Sequence, residues 1–217
     1  MGLTERRARQ KEQLRREILD AAGELFAQEG YNSVSMRKIA DRIEYSPTTI
    51  YLYFSDKAEL LHTLCEDVFA RLIERIDTET EKASDPLDGL VRGCRAYIRF
   101  GLEHPDLYIV TFVQPSDGRP CDSEKTFEGS VAQECFNCLG GAIQACVESG
   151  QIPPVDVKKA ACLCWAACHG LTSLLITHER FPWAEKDELI EGMLTSMIRG
   201  LEAGTIEALP ASAANQG

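Results

Sequence analysis

The stretch Met36–Ser55, MRKIADRIEYSPTTIYLYFS, holds two short helical patterns joined by a tight turn. Ser35 stands where the first needs an N-cap, and Val34 before it can pack forward on Ile39. That helix should end near Ile43. Tyr45-Ser46-Pro47 repeats the device: Ser46 caps, Pro47 takes the first helical position where a missing N–H is harmless, and Tyr45 can reach Ile50. A short helix over roughly 47–53 follows. Ile39 and Ile43 would bury, Ala40 is small where the helices cross, and Ile50 and Phe54 would lock the second helix on the first. This is the helix-turn-helix pattern. The polar residues left over, Thr48, Thr49, Tyr51 and Tyr53, would face outward on a helix thin enough to enter a major groove, which a core does not require.

Working outward, apolar residues at 14, 18, 21, 22, 25 and 26 predict a first helix over roughly 8–29, stopped by Gly30. Ser55-Asp56 opens a fourth helix with Leu60, Leu61, Leu64, Val68 and Leu72 on one face, ending before Ser84. Asp85-Pro86 opens a fifth, His104-Pro105 a sixth, and residues 115–123 read as a loop before a seventh from about Glu124 to Gly150. The last two helices span roughly 155–179 and 186–203, and the tail after Leu209 reads as disordered. No period-two pattern appears, so the expected fold is all-α, about nine helices with no sheet and no internal repeat.

The net charge of −11 over 217 residues argues against a nucleic-acid binder until it is divided along the chain. Residues 1–57 carry 10 Lys+Arg against 9 Asp+Glu, net +1, whereas residues 58–217 carry 13 against 25, net −12. Within the first 16 residues Arg6, Arg7, Arg9, Lys11, Arg15 and Arg16 outnumber Glu5 and Glu12, as an arm beside DNA would require; a solvated helix start is the plain alternative. Nine cysteines, an odd number, without a signal-peptide pattern predict a reducing cytoplasm rather than a disulfide framework. The longest apolar run, Ala160 to Cys168, is short of the roughly 20 residues of a membrane span, so no membrane partner is expected. Met1-Gly2 is not read as a myristoylation signal, because Arg6 stands where that motif needs Ser or Thr.

Residues 11–62, through ILDAAGELFAQEGY, SMRKIADRI and SPTTIYLYFSDKAELL, resemble the DNA-binding domain of the TetR family of regulators. The resemblance implies an N-terminal three-helix DNA-binding domain at 8–62, a larger helical ligand-binding and dimerisation domain at 63–209, and a tail at 210–217. One departure is Glu44, where a helix-turn-helix usually places glycine. By position, the resemblance implies that Arg37 reaches a base edge or phosphate, that Thr48, Thr49 and Tyr51 are contact residues, that Tyr53 stands where relatives carry histidine, and that Lys57 meets a phosphate. Leu52 could meet a thymine methyl, and the helix starts capped by Ser35 and Ser46 would point at phosphates, although both caps also serve folding alone.

The second half resembles the family's regulatory domain through Trp165-Ala-Ala-Cys-His169-Gly170, similar to the Trp-His-Gly motif of one subgroup. Trp165 and His169 lie one turn apart on one face, lining a cavity or packed in a core. By helix position the resemblance implies an effector cavity lined by Phe100, Tyr108, Phe112, Trp165 and His169. The acidic balance favours a neutral or cationic lipophilic effector and disfavours an acyl-coenzyme A. The last two helices would pair with a second copy, with Ala160, Cys164, Ala167, Gly192, Met193, Ser196 and Gly200 suiting a close crossing there or within the chain.

The cysteines at 65, 94, 121, 135, 138, 146, 162, 164 and 168 read mainly as small core residues, with redox or metal sensing as the rival. A Cys168–His169 enzyme is improbable, since neighbours on a helix point about 100° apart. The expected protein is therefore not an enzyme and needs no cofactor or metal. It is a homodimeric regulator, a repressor, that grips pseudo-palindromic double-stranded operator DNA and releases it when a small-molecule effector binds.

Overall fold

The structure is a computed structural model describing residues 3–114 and 127–204. Among these residues there are nine α-helices and no strand. They are α1 Leu3–Glu29, α2 Met36–Arg42, α3 Pro47–Tyr51, α4 Lys57–Thr80, α5 Pro86–Glu103, α6 Pro105–Tyr108, α7 Val131–Glu148, α8 Val157–Thr177 and α9 Lys186–Glu202. Two compact units result, one from Met1–Phe69 with His104–Ser130, the other from Ala70–Glu103 with Val131–Gly217.

In the first unit, α1, α2, α3 and the start of α4 close around one core. Ile18, Phe26, Ile39, Ala40, Ile50, Phe54, Leu60 and Leu64 are all essentially removed from water. Four of these are the residues whose spacing marks the helix-turn-helix, while Ile43 is only half-buried at the rim. Tyr45, expected to cover Ile50, is instead exposed. Helix α1 begins five residues before its apolar stripe suggested, because charged residues with good helix propensity extend a helix without needing burial. A 3₁₀ turn at Tyr31–Ser33 fills the link to α2.

Segment 104–114 also belongs to this first unit. Helix α6 runs into a π-helical turn at Ile109–Val113, a rare widening that periodicity cannot reveal. Leu107 lies so close to Gly23 of α1 that a Cβ there would stand 2.7 Å from Leu107 Cδ2, and Gln114 Nε2 donates to Phe26 O at 2.6 Å, covering a carbonyl in the last turn of α1.

In the second unit, α5 packs against α7, α8 and α9. Helix α8 sits centrally, burying Ala160, Ala161, Cys164, Cys168, Thr172, Leu175 and Ile176. By length and composition it is apolar enough to cross a membrane, a property shared by core helices of soluble proteins. Asp156 caps it by accepting from Lys159 N at 3.0 Å. The helix expected from about Glu124 to Gly150 is not continuous: Gly129 adopts φ +77° and α7 begins at Val131, whereas residues 124–126, with the expected loop at 115–123, Cys121 and the tail at 210–217, lie outside the described residues.

Candidate nucleic-acid interface

The turn between α2 and α3 is built by backbone hydrogen bonds that the side chains then decorate. Tyr45 N donates to Ala40 O at 3.0 Å and Glu44 N to Asp41 O at 3.4 Å, the paired closure of a Schellman motif. Its pivot residue is Glu44, at φ +60°, the left-handed conformation that glycine adopts without strain. The departure from the family pattern therefore leaves the turn intact and stores modest strain in it.

Both serine caps form as spacing requires. Ser35 Oγ accepts from Lys38 N at 3.2 Å and Ser46 Oγ from Thr49 N at 3.2 Å, while Ser46 Oγ and Thr49 Oγ1 lie 2.9 Å apart. Thr49 is thus oriented by the cap of its own helix. Arg37, Thr48, Tyr51 and Leu52 are exposed, Leu52 at 76 % and Tyr51 at 53 %. For a leucine such exposure has no value inside a protomer. Tyr53 is half-buried against the core cluster, so only part of its ring can meet a partner.

Neighbouring cations are held in place. Lys38 pairs with Glu29, and Arg42 Nη2 meets Glu24 Oε2 at 2.8 Å, so two of the three basic residues of α2 tie it to α1. Lys57 is turned inward: its ammonium donates to Tyr31 O at 2.7 Å and Val34 O at 2.9 Å and stands 4.1 Å from the Tyr31 ring centroid. Burial lowers its pKa. A lysine carries three donors, so one remains for an outside acceptor. At the start of α4, Asp56 Oδ1 accepts from Glu59 N at 2.8 Å and Glu59 Oε2 accepts from both Ser55 N and Oγ at 2.6 Å, which holds the Glu59 carboxyl below its ordinary pKa.

The five aromatic positions expected around an effector fall in two groups. Tyr108 and Phe112 are in the first unit, ring centroids 4.8 Å apart, with Phe69 5.1 Å from Phe112. Phe100, Trp165 and His169 are in the second. There the Trp165 indole N–H donates to Tyr97 OH at 3.2 Å, and its ring lies 5.8 Å from His169 and 6.2 Å from Phe136. Tyr97 and Phe136 complete this aromatic group; neither belongs to the Trp-His-Gly motif, so only the packing of α5, α7 and α8 brings them in. Burial lowers the His169 pKa, favouring the neutral imidazole.

Among the described residues Cys65, Cys94, Cys146, Cys164 and Cys168 are buried, Cys135 and Cys138 are half-buried and Cys162 is exposed. The hydrogen bond with Cys168, and then burial, raise the Cys94 thiol pKa well above its ordinary value, and burial pushes Cys164 and Cys135 up to about 12. Cys94, Cys135 and Cys164 therefore stay protonated and weakly nucleophilic at neutral pH. Among the described residues no cluster of three His, Cys, Asp or Glu could hold a metal. The burial of Cys94, Cys164 and Cys168 supports the small-core reading of these three over thiol sensing.

An exposed, capped recognition helix locked to a second helix defines a helix-turn-helix DNA-binding head. Comparisons agree. Residues 18–64 match "Bacterial regulatory proteins, tetR family" and residues 90–197 match "Tetracyclin repressor-like, C-terminal domain". The chain is 27 % identical over 145 residues to the fatty acid metabolism regulator protein of Bacillus subtilis, covering 66 % of this chain and 74 % of that one. It is 25 % identical over 187 residues to the HTH-type transcriptional regulator HbdR of an Aromatoleum species, covering 84 % and 79 %. In fold it is similar to FadR from Bacillus subtilis in complex with stearoyl-CoA, TM-score 0.75 at 23 % identity, covering 85 % and 97 % of the two chains. The chain belongs to the TetR family and is a transcriptional regulator. The finer likeness to a Trp-His-Gly subgroup rests on the sequence motif alone.

Proposed function

We propose that this regulator is a homodimeric repressor that reads a pseudo-palindromic operator with α3 and releases it when a lipophilic molecule occupies the Trp165 group. The observation that carries the DNA reading is the α3 surface: Thr48, Thr49, Tyr51 and Leu52 project from a helix whose inner side, Ile50, is fully buried. Arg37 can reach guanine or phosphate, Thr49 is pre-oriented by Ser46, the Tyr53 hydroxyl and the remaining Lys57 donor can meet the backbone, and the α2 and α3 starts capped by Ser35 and Ser46 can face phosphates. Such a protein works in the compartment that holds the DNA, the cytoplasm.

Dimerisation is assigned to α8 and α9. Ala160 and Cys164, two residues that suit either a partner or the chain itself, are buried within the protomer, which leaves Leu163, Leu174, Gly192 and Ser196 as the exposed face. A Cβ at Gly170 or Gly192 would meet nothing within 4 Å, so neither glycine is required by the protomer's own packing, as suits a close helix crossing with a second copy.

For the effector, the cations of α5 are already engaged: Arg92 by Asp88 at 2.9 Å, Arg95 by Glu191 at 2.6 Å and Arg99 by Asp187 at 2.8 Å. This supports a neutral or cationic lipophile. The stearoyl-CoA complex of FadR and the fatty-acid regulator relative favour a second reading, a long-chain acyl-coenzyme A, which the charge balance alone disfavours. Gel shifts on a selected operator with a fatty alcohol, a quaternary ammonium lipid and stearoyl-CoA decide between them. Release by the first two, lost in Trp165→Ala, supports the leading reading; release by stearoyl-CoA alone replaces it with the second. Wild-type operator affinity in Arg37→Ala, Thr49→Ala and Tyr51→Phe alike would overturn the reading head.

A further inference from the structure

Much of the N-terminal part of α1 lies on the surface. Residues 5–13 are all exposed, and the family match begins only at residue 18. The charge on these turns is nevertheless sorted by face. At 100° per residue, Arg7 and Lys11 each point within about 20° of the direction of Ile18, the fully buried residue that faces the helix-turn-helix core. Arg9 points about 180° away from Ile18, Arg16 about 160° away and Glu12 about 120° away. On that outer side the acids and bases mix, and Glu12 Oε1 lies 3.6 Å from Arg16 Nε. The inner row carries only cations.

The row is also anchored beside the recognition helix. Arg15, the next member of the series 7, 11, 15, places its guanidinium 5.7 Å from the ring centroid of Phe54, just past the end of α3. Lys11 and Arg7 stand one and two turns further out, about 6 and 12 Å along the helix axis. A cationic row contiguous with a reading head, in a chain of net charge −11, matches the phosphodiester backbone of the duplex that the head reads.

We propose that Arg7 and Lys11 grip phosphates flanking each half-site, so that the α1 extension lengthens the footprint without adding base recognition. This rests on the operator-binding reading above, and the experiment keeps the two apart. Full-length wild type, Arg7→Ala/Lys11→Ala and the opposite-face variant Arg9→Ala/Arg16→Ala are titrated, over a salt series, against three duplexes: an operator selected from a random library, the same operator trimmed to its half-sites, and a random sequence. Thr49→Ala, Arg37→Ala and Tyr51→Phe are run alongside. On the flanked operator the inner-row variant should flatten the slope of log affinity against log salt by about 2 units per bound protomer, roughly 0.9 for each lost phosphate. It should weaken binding to random duplex as well, and approach wild type on the trimmed operator. The outer-face variant, which removes the same formal charge, should change the slope by less than half as much. Equal slopes for wild type and the inner-row variant, equal effects of the two faces, or a loss that persists on the trimmed operator would each overturn the proposal. If Thr49→Ala, together with Arg37→Ala and Tyr51→Phe, keeps wild-type operator affinity while the inner-row variant loses it, the reading head fails and the flanking row stands.

Discussion

Glu44 offers a direct measure of strain built into the DNA-binding head. A side chain bearing a Cβ at φ +60° costs about 1–2 kcal/mol, and glycine relieves this while losing about 0.5–1 kcal/mol through its freer unfolded chain. Glu44→Gly should therefore stabilise the protein by about 0.5–1 kcal/mol, raising Tm by about 2 °C for a chain of this size. Glu44→Ala removes the same carboxylate but keeps the Cβ, so its stability should stay within about 0.3 kcal/mol of wild type. Urea melts at one fixed protein concentration give both numbers. Because Glu44 lies two residues before the Ser46 cap of α3, both variants should bind DNA more tightly than wild type, by similar factors that shrink with added salt. Equal stability of the glycine and alanine variants would refute the strain argument, since only glycine relaxes the backbone.

The Arg95–Glu191 pair joining α5 to α9 is two-pronged, at 2.6 and 2.7 Å, and partly exposed, so Glu191→Gln should cost less than about 1 kcal/mol. Hydrogen bonding from Arg95 holds the Glu191 carboxyl below its ordinary pKa of 4.5, so its contribution is present above that value and lost as pH falls through the lower folded value; urea melts of the two proteins should differ at pH 7 and converge in acid. With a thiol reagent at neutral pH, Cys162 should label faster than Cys94, Cys164 and Cys168, which should wait for unfolding; labelling of these three at the Cys162 rate, mapped by mass spectrometry, would contradict their burial.

Local rules carried the DNA-binding head a long way. Caps at Ser35 and Ser46, the proline at Pro47 and the apolar spacing of Ile39, Ala40, Ile50 and Phe54 act over four residues or fewer, so the amino-acid order shows them directly. The first helix came out short at its N-terminus because periodicity registers burial, and residues 5–13 bury nothing. The seventh ran long because Gly129 was not read as a break.

The order of residues settled the all-helical class, the family and the outward polar residues of α3, since each follows from short-range hydrogen bonding and a periodic apolar stripe. Folding alone could assign segment 104–114 to the unit of the reading head, turn Lys57 onto the carbonyls of Tyr31 and Val34, gather Tyr97 and Phe136 around Trp165, and set Arg15 over the Phe54 ring. Each of these is a contact or alignment between chain segments far apart in sequence. Whether a lysine finds a carbonyl, and which aromatic meets which, depends on how helices settle to fill a core at close-packed density, and no local pattern encodes that.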